Sequence, residues 1–209
     1  FARFLGLYLS EGHLGKYDTT IALTQNPGPV LEEMRGTIRS MGSPVMTVPL
    51  SAGRGRQLRF KNAVLYDWLR RSCGMGALNK RVPSIVFYWP SHLVLEFLGA
   101  LIRGDGSVHK ENGHQVLYTS SKQLADDVQI LALKAGIAAN LRVDDRVGSH
   151  TIYTGATISK SKPNYIVSFI RAANLRPHVN NNLRSPWPNR FRAVDGHDDR
   201  LIHYVGRVF

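Results

Sequence analysis

Two carboxylates stand at matching places in this chain, each closing an apolar stretch and each followed by glycine. One lies in Gly6-Leu7-Tyr8-Leu9-Ser10-Glu11-Gly12, the other in Ala100-Leu101-Ile102-Arg103-Gly104-Asp105-Gly106, with Glu11 and Asp105 94 residues apart (105 − 11). A carboxylate at a helix C-terminus is electrostatically disfavoured, because that end already carries partial negative charge. Two such groups brought together disfavour each other further. A hard dication relieves both penalties, and oxygen ligands with open positions for water and phosphate point to Mg2+. The chemistry such a cation supports is phosphodiester hydrolysis. Either acid alone reads as a helix-terminal surface residue; the equivalence of the two argues for a site.

The elements that must position these acids occur twice. An apolar helix, Ala2–Ser10 or Leu93–Gly104, leads to the acid. A strand follows, in which Thr20, Ala22 and Thr24 alternate with Ile21 and Leu23, or which spans Gln115–Thr119. Next comes an amphipathic helix whose apolar stripe is Leu31, Met34, Ile38 and Met41, or Leu124, Val128, Leu131 and Ala135. Gly42 and Gly136, again 94 apart, stop these helices. A hairpin then uses Val45–Leu50 and Arg56–Phe60, or Ala139–Asp144 and His150–Ser159. A closing helix runs over Asn62–Ser72, or over 164–173, where Tyr165, Ile166, Phe169 and Ile170 recur at helical spacing. The expected fold is therefore α+β, an α-β-α-β-β-α unit repeated. Domain boundaries follow: 1–78, a linker at 79–91, 92–175, and an extension at 176–209.

The first helix of each unit is apolar almost all round, so it is expected to be buried. Small residues notch it at Gly6 and Ser10, then at Ala100 and Gly104. A helical glycine costs roughly 1 kcal/mol relative to alanine, a cost offset where two backbones approach closely. Packing these faces across a pseudo-two-fold axis brings Glu11 and Asp105 out side by side.

Composition narrows the partner. The formal charge is +12, from 27 Lys and Arg against 15 Asp and Glu, an excess that attracts polyanions. Residues 34–66 and 146–194 are basic tracts without a single carboxylate, which suits two surfaces facing one long anion. The single cysteine, Cys73, excludes an internal disulfide framework and a cysteine-based zinc site. No apolar run is long enough to span a bilayer and no signal peptide is evident, so the expectation is an intracellular, non-secreted protein. Phe1 is an unlikely start, which reads as an interior piece of a longer polypeptide. The Gly-rich run Ala52–Arg56 lacks a lysine-serine ending and is not a nucleotide loop.

Segments Phe4–Gly12 and Phe97–Gly106 resemble the two signature helices of LAGLIDADG homing endonucleases, especially those inside inteins, where the copies often end in Glu-Gly and Asp-Gly. The resemblance extends to about Asn174. It implies a monomeric, double-motif enzyme that binds double-stranded DNA and makes a staggered break with 3′ overhangs, Glu11 and Asp105 holding the divalent metal. Asn79-Lys80-Arg81-Val82-Pro83-Ser84 is similar to the family's linker block, which implicates Lys80 in catalysis; a general DNA contact is the other reading of Lys80. Its counterpart in the second copy is not evident, Arg184 being the candidate. The family's further acid, two places before the catalytic one, is replaced by Leu9 and Arg103. Tyr204–Phe209 resembles the return to an intein splicing domain. Non-cleaving alternatives on the same fold are an RNA maturase, a DNA-binding regulator or an inactive insert.

In this family the strands line a saddle over DNA. If Leu58 and Phe60 face inward, Gln57, Arg59 and Lys61 face the DNA; if Leu141 and Val143 do, Asn140, Arg142 and Asp144 face it. Arginine and amide side chains on such a ribbon read major-groove edges, whereas Arg54 and Arg56 in the turn suit phosphates. Lys160 and Lys162 are expected to follow the last strand of the second copy as Lys61 follows its counterpart, and so to contact the DNA near the scissile phosphates. Unequal halves imply an asymmetric target.

Overall fold

A computed structural model describes residues 1–51, 53–111, 113–146, 148–151, 157–160 and 162–170, all within one compact unit, Phe1–Ala172. The chain is α+β, with two four-stranded antiparallel sheets and one two-stranded ribbon. In the first half, α1 (Ala2–Glu11) leads through β1 (Gly12–Leu14) and β2 (Thr20–Gln25) to α2 (Pro29–Ser40); β3 (Met46–Pro49), β4 (Arg56–Lys61) and α3 (Ala63–Cys73) complete it. The second half has α4 (Ser91–Asp105), β5 (Gly106–Val108), β6 (Gln115–Thr119), α5 (Lys122–Lys134), β7 (Ala138–Asp144), β8 (Gly148–Thr151), β9 (Thr157–Lys160) and β10 (Asn164–Ile170).

Local chemistry sets the boundaries. The Asn62 carboxamide accepts from Leu65 N at 2.9 Å and starts α3, and the Ser121 hydroxyl accepts from Leu124 N at 3.2 Å and starts α5. Gly42 and Gly136 follow α2 and α5 with φ of +74° and +78°, a conformation that side chains with a Cβ resist. Cys73 is fully buried at the end of α3.

The sheets are built alike, in the orders β1-β2-β4-β3 and β5-β6-β10-β7. One rung crosses the first through Gly12, Leu23, Leu58 and Thr47. Its counterpart crosses the second through Gly106, Leu117, Val167 and Leu141. Three of these four pairs keep the 94-residue offset; Leu58 and Val167 differ by 109 (167 − 58), so 15 extra residues (109 − 94) lie between β7 and β10.

Those extra residues account for two corrections. The expected hairpin of 139–144 with 150–159 is not formed: β7 pairs with β10, while β8 and β9 pair only with each other. The expected helix over 164–173 is instead strand β10 through Ile170, and its remainder lies outside the described residues. Tyr165, Ile166, Val167, Phe169 and Ile170 fit either period, but β-branched and aromatic residues favour a pleated strand. No residue of β10 is exposed, so its sequence shows no apolar–polar alternation that would mark a strand. The linker is not featureless, with 3-10 turns at Ala77–Asn79 and Ser84–Tyr88. Among the described residues no helix is long and apolar enough to cross a membrane.

Candidate functional site

Helices α1 and α4 supply the centre of the core: Phe4, Leu5, Leu7 and Leu9 on one, Phe97, Ala100 and Leu101 on the other, are all inaccessible to solvent. Their notches meet as two-fold symmetry requires. A Cβ added at Gly6 would stand 2.4 Å from Phe97 O and 2.8 Å from Ala100 Cβ. One added at Gly104 would stand 2.0 Å from Ser10 Oγ and 3.2 Å from Glu11 Cγ. Gly6 thus faces Ala100, its 94-residue equivalent, and Ser10 faces Gly104. The second contact puts the Glu11 side chain against the residue preceding Asp105.

The two carboxyls feel each other. Burial, then the Glu11 charge, pushes the Asp105 carboxyl up to about 7, with Lys80 opposing. Glu11 is also raised by burial, against the lowering pull of Lys80 and of a hydrogen bond from Gln25. Gln25 Nε2 donates to Glu11 Oε1 at 3.0 Å. Lys80 itself is pulled down by burial while Asp105 and Glu11 hold it up. The two acids and the lysine therefore form one electrostatic cluster.

Lys80 is held by contacts to both halves. Its ammonium donates to Ser10 O at 2.7 Å, and its own carbonyl accepts from Ser121 Oγ at 2.5 Å. Arg81 N donates to Cys73 O at 2.9 Å, and Val82 N to Asp127 Oδ2 at 2.9 Å. Three successive linker residues are thereby pinned between α3 and α5.

Two carboxylates and a neighbouring amide are hard oxygen donors suited to a divalent cation that keeps water and phosphate among its ligands. Among the described residues no group of three or more His, Cys, Asp and Glu gathers to enclose a metal. The donor set fits an open site completed by a ligand, not a closed structural one.

The residues expected on the sheets fall into three groups. Arg54, Arg59, Lys61, Asn140 and Arg142 are exposed, although Lys61 lies 3.6 Å from Asp18. Arg56 is half-buried and donates to the carbonyls of Arg54 and Gly55 at 3.1 and 3.2 Å, so it braces the turn. Gln57 departs from expectation: it is 6% exposed, contacts His13 Nε2 at 3.0 Å and Thr24 Oγ1 at 3.4 Å, and accepts from Arg59 Nε. At the end of β7 the expected exposures are reversed, Val143 being 51% exposed and Asp144 8%; Asp144 pairs with Arg146 at 2.7 Å. Lys160 and Lys162 are not the counterparts of Lys61, whose place in β10 is taken by Ile170. Lys160 ends β9, and Lys162 is exposed ahead of β10. Arg184 and the Tyr204–Phe209 tail lie outside the described residues.

Two residues near the acids went unnoticed in the sequence, Gln25 and His13. Gln25 continues the inward alternation of Ile21 and Leu23, and a polar residue at an inward position was the available signal. His13 is depressed by burial and by the charges of Lys80 and Arg59; nothing in its spacing marks it.

Residues 92–176 match the family model of the LAGLIDADG-like domain. The chain is 31% identical over 147 residues to the ATP-dependent DNA helicase Hel308 of Thermococcus kodakarensis, covering 67% of this chain and 13% of that protein. It is 29% identical over 160 residues to a DNA polymerase of the same organism, covering 73% and 9%. The chain thus spans about a tenth of the length of these curated relatives. Among solved structures, the homing endonuclease I-DmoI in a mesophilic variant superposes with a TM-score of 0.54 at 16% identity, over 81% of this chain and 87% of that one. I-DmoI has also been solved with DNA and Ca, at a TM-score of 0.54, 15% identity and 81% of each chain. The N-terminal LAGLIDADG domain of WhiA superposes with a TM-score of 0.51 at 10% identity, over 79% and 73%. Residues 92–176 are thus a LAGLIDADG-like domain, and the described residues share the fold of I-DmoI.

Proposed function

We propose that this chain is a site-specific DNA endonuclease that hydrolyses phosphodiester bonds with the help of divalent metal. The observation that carries this reading is the meeting of Glu11 and Asp105 where Ser10 packs on Gly104, with Lys80 coupled to both. Glu11 and Asp105 would hold the cation, and Mg2+ is the physiological choice for this donor set. Bound there, it supplies Lewis acidity at the phosphodiester. I-DmoI has been solved with DNA and Ca, and with DNA and Mn, which supports a divalent metal on this fold.

The chain's own residues do the rest. The Gln25 amide fixes one Glu11 oxygen and leaves the other free to turn toward a ligand. The Lys80 ammonium, held by Ser10 O, offsets negative charge that develops on the phosphate during attack. Burial around Asp105 strengthens each of these interactions by thinning the water between them. Arg59, Lys61, Asn140 and Arg142 face the duplex and position it, and Arg54 meets phosphate. Two unlike halves on one chain suit a long asymmetric target, cut in a stagger that leaves 3′ overhangs.

A match over most of this chain but about a tenth of each relative fits a segment carried within larger proteins, as intein-borne endonucleases are. The test is to incubate the protein with Mg2+ and a duplex carrying the uninterrupted sequence of the presumed insertion point, then map the ends. Paired staggered ends support the reading; metal-independent binding with intact DNA would replace it with the non-cleaving binder.

A further inference from the structure

Between β7 and β10 the second half carries two further strands, β8 and β9, paired with each other. The pair Asp144↔Asn164 ends the β7–β10 ladder, and Gly148↔Lys160 opens the β8–β9 ladder. Four residues separate the two pairs on each strand (148 − 144 and 164 − 160), so the ribbon resumes in the register in which it stopped. The break between them includes Pro163, which has no N–H to donate, and, on the other strand, Arg146, whose guanidinium is turned back onto Asp144. β8 and β9 are thus the outer part of the β7–β10 hairpin.

The first half has nothing comparable. Beyond the shared rung, 10 residues link Thr47 to Leu58, whereas 25 link Leu141 to Val167. Half of the excess on each strand, at about 3.3 Å per residue, lengthens the second arm by about 25 Å. Along a duplex this is up to about seven base pairs at about 3.4 Å each.

The arm's composition says what it meets. Residues 146–162 contain Arg146, His150, Lys160 and Lys162 and no carboxylate. By register, positions 160 and 162 continue the ribbon face of Asn140, Arg142 and Asp144, of which Asp144 is buried at the end of β7 while Asn140, Arg142 and Lys162 are exposed. We propose that β8 and β9 form a DNA-reading arm that extends the half-site under the second repeat beyond the reach of the first, so that the footprint is off-centre. This rests on the DNA-binding part of the function proposed above and not on cleavage.

The experiment enriches a long duplex with a randomised centre on the full chain in Ca2+, then maps protection by hydroxyl radical. The wild type is compared with a variant in which Asn-Gly replaces residues 145–163, and with the double variant Lys160→Ala/Lys162→Ala. Expected is a footprint that the shortened variant truncates at one end only, by up to about seven base pairs. The double variant should protect that end more weakly, with a salt dependence of binding shallower by about two. Circular dichroism checks that each variant folds, and if the shortened one does not, the lysine pair decides. Unchanged protection and salt dependence in the lysine pair, or an unchanged footprint in a folded shortened variant, would overturn the arm while leaving DNA binding intact. Failure to enrich any duplex would overturn the DNA reading itself and the arm with it.

Discussion

The Lys80 ammonium donates to the main-chain carbonyl of Ser10 at 2.7 Å, across 70 residues of chain and one residue before Glu11. This bond fastens the linker to the end of α1, and it makes the lysine's charge part of the carboxylate cluster.

Replacing Lys80→Met should lower the cleavage rate by roughly 100-fold, the usual cost of one lost charge-stabilising donor, with DNA affinity little changed. Lys80 pulls both acids down, so its loss lets both rise. The acid limb of the rate–pH profile should therefore move to higher pH. A slower enzyme with an unmoved acid limb would reduce Lys80 to a DNA contact.

The metal-free protein should be least stable at alkaline pH as far as Asp105 is concerned. Its folded pKa, about 7, lies above the ordinary 3.8, so its contribution is fully present below about 3.8 and is lost as pH rises through about 7. Asp105→Asn should raise the melting temperature of the metal-free protein at pH 8 more than at pH 5. It should also abolish the stabilisation that Ca2+ confers on the wild type. Equal effects at both pH values would deny that the carboxyl is strained.

The helix notches differ in whether they can be relieved. Gly104→Ala meets the Ser10 side chain, and should cost about 1–3 kcal/mol as an overpacked core does. Ser10→Gly in the same protein should recover most of that. Gly6→Ala meets the Phe97 carbonyl, which no side-chain substitution removes, so it should be the more damaging. Urea denaturation of these three variants and of Ser10→Gly alone measures this, and independent, additive effects at 10 and 104 would contradict the contact.

Among the exposed basic residues, Arg54→Ala should weaken binding to all sequences alike, with a salt dependence shallower by about one. Arg142→Ala should instead relax the preference at one base pair, a loss of about 1–3 kcal/mol of discrimination. Selection from randomised duplexes separates the two behaviours; identical profiles for both variants would return Arg142 to the phosphate-contacting set.

Much of this was legible from the 94-residue offset, which ties Glu11 to Asp105, Gly42 to Gly136 and, in the structure, Leu23 to Leu117. Spacing along the chain preserves what a duplication copies. It failed past β7, where the inserted arm broke the offset and left 164–170 to be judged by periodicity alone. A short strand with no exposed residue carries no apolar–polar period to read. Alternation gives Gln57 a direction, away from Leu58 and Phe60, but not its accessibility: His13, Thr24 and Arg59 close over it. Beyond their first glycines, β1 and β5 offered only His13-Leu14 and Ser107-Val108, too little for an alternation to show.

The glycines at the helix contact alternate between partners, Gly6 accommodating Ala100 and Gly104 accommodating Ser10. At this spacing, a pair of first halves would set serine against serine, and a pair of second halves alanine against alanine, each collision accompanied by an empty glycine–glycine gap. Each half is therefore shaped to reject its own twin. The single chain supplies the two unlike faces together, each glycine set against the larger residue of the other half.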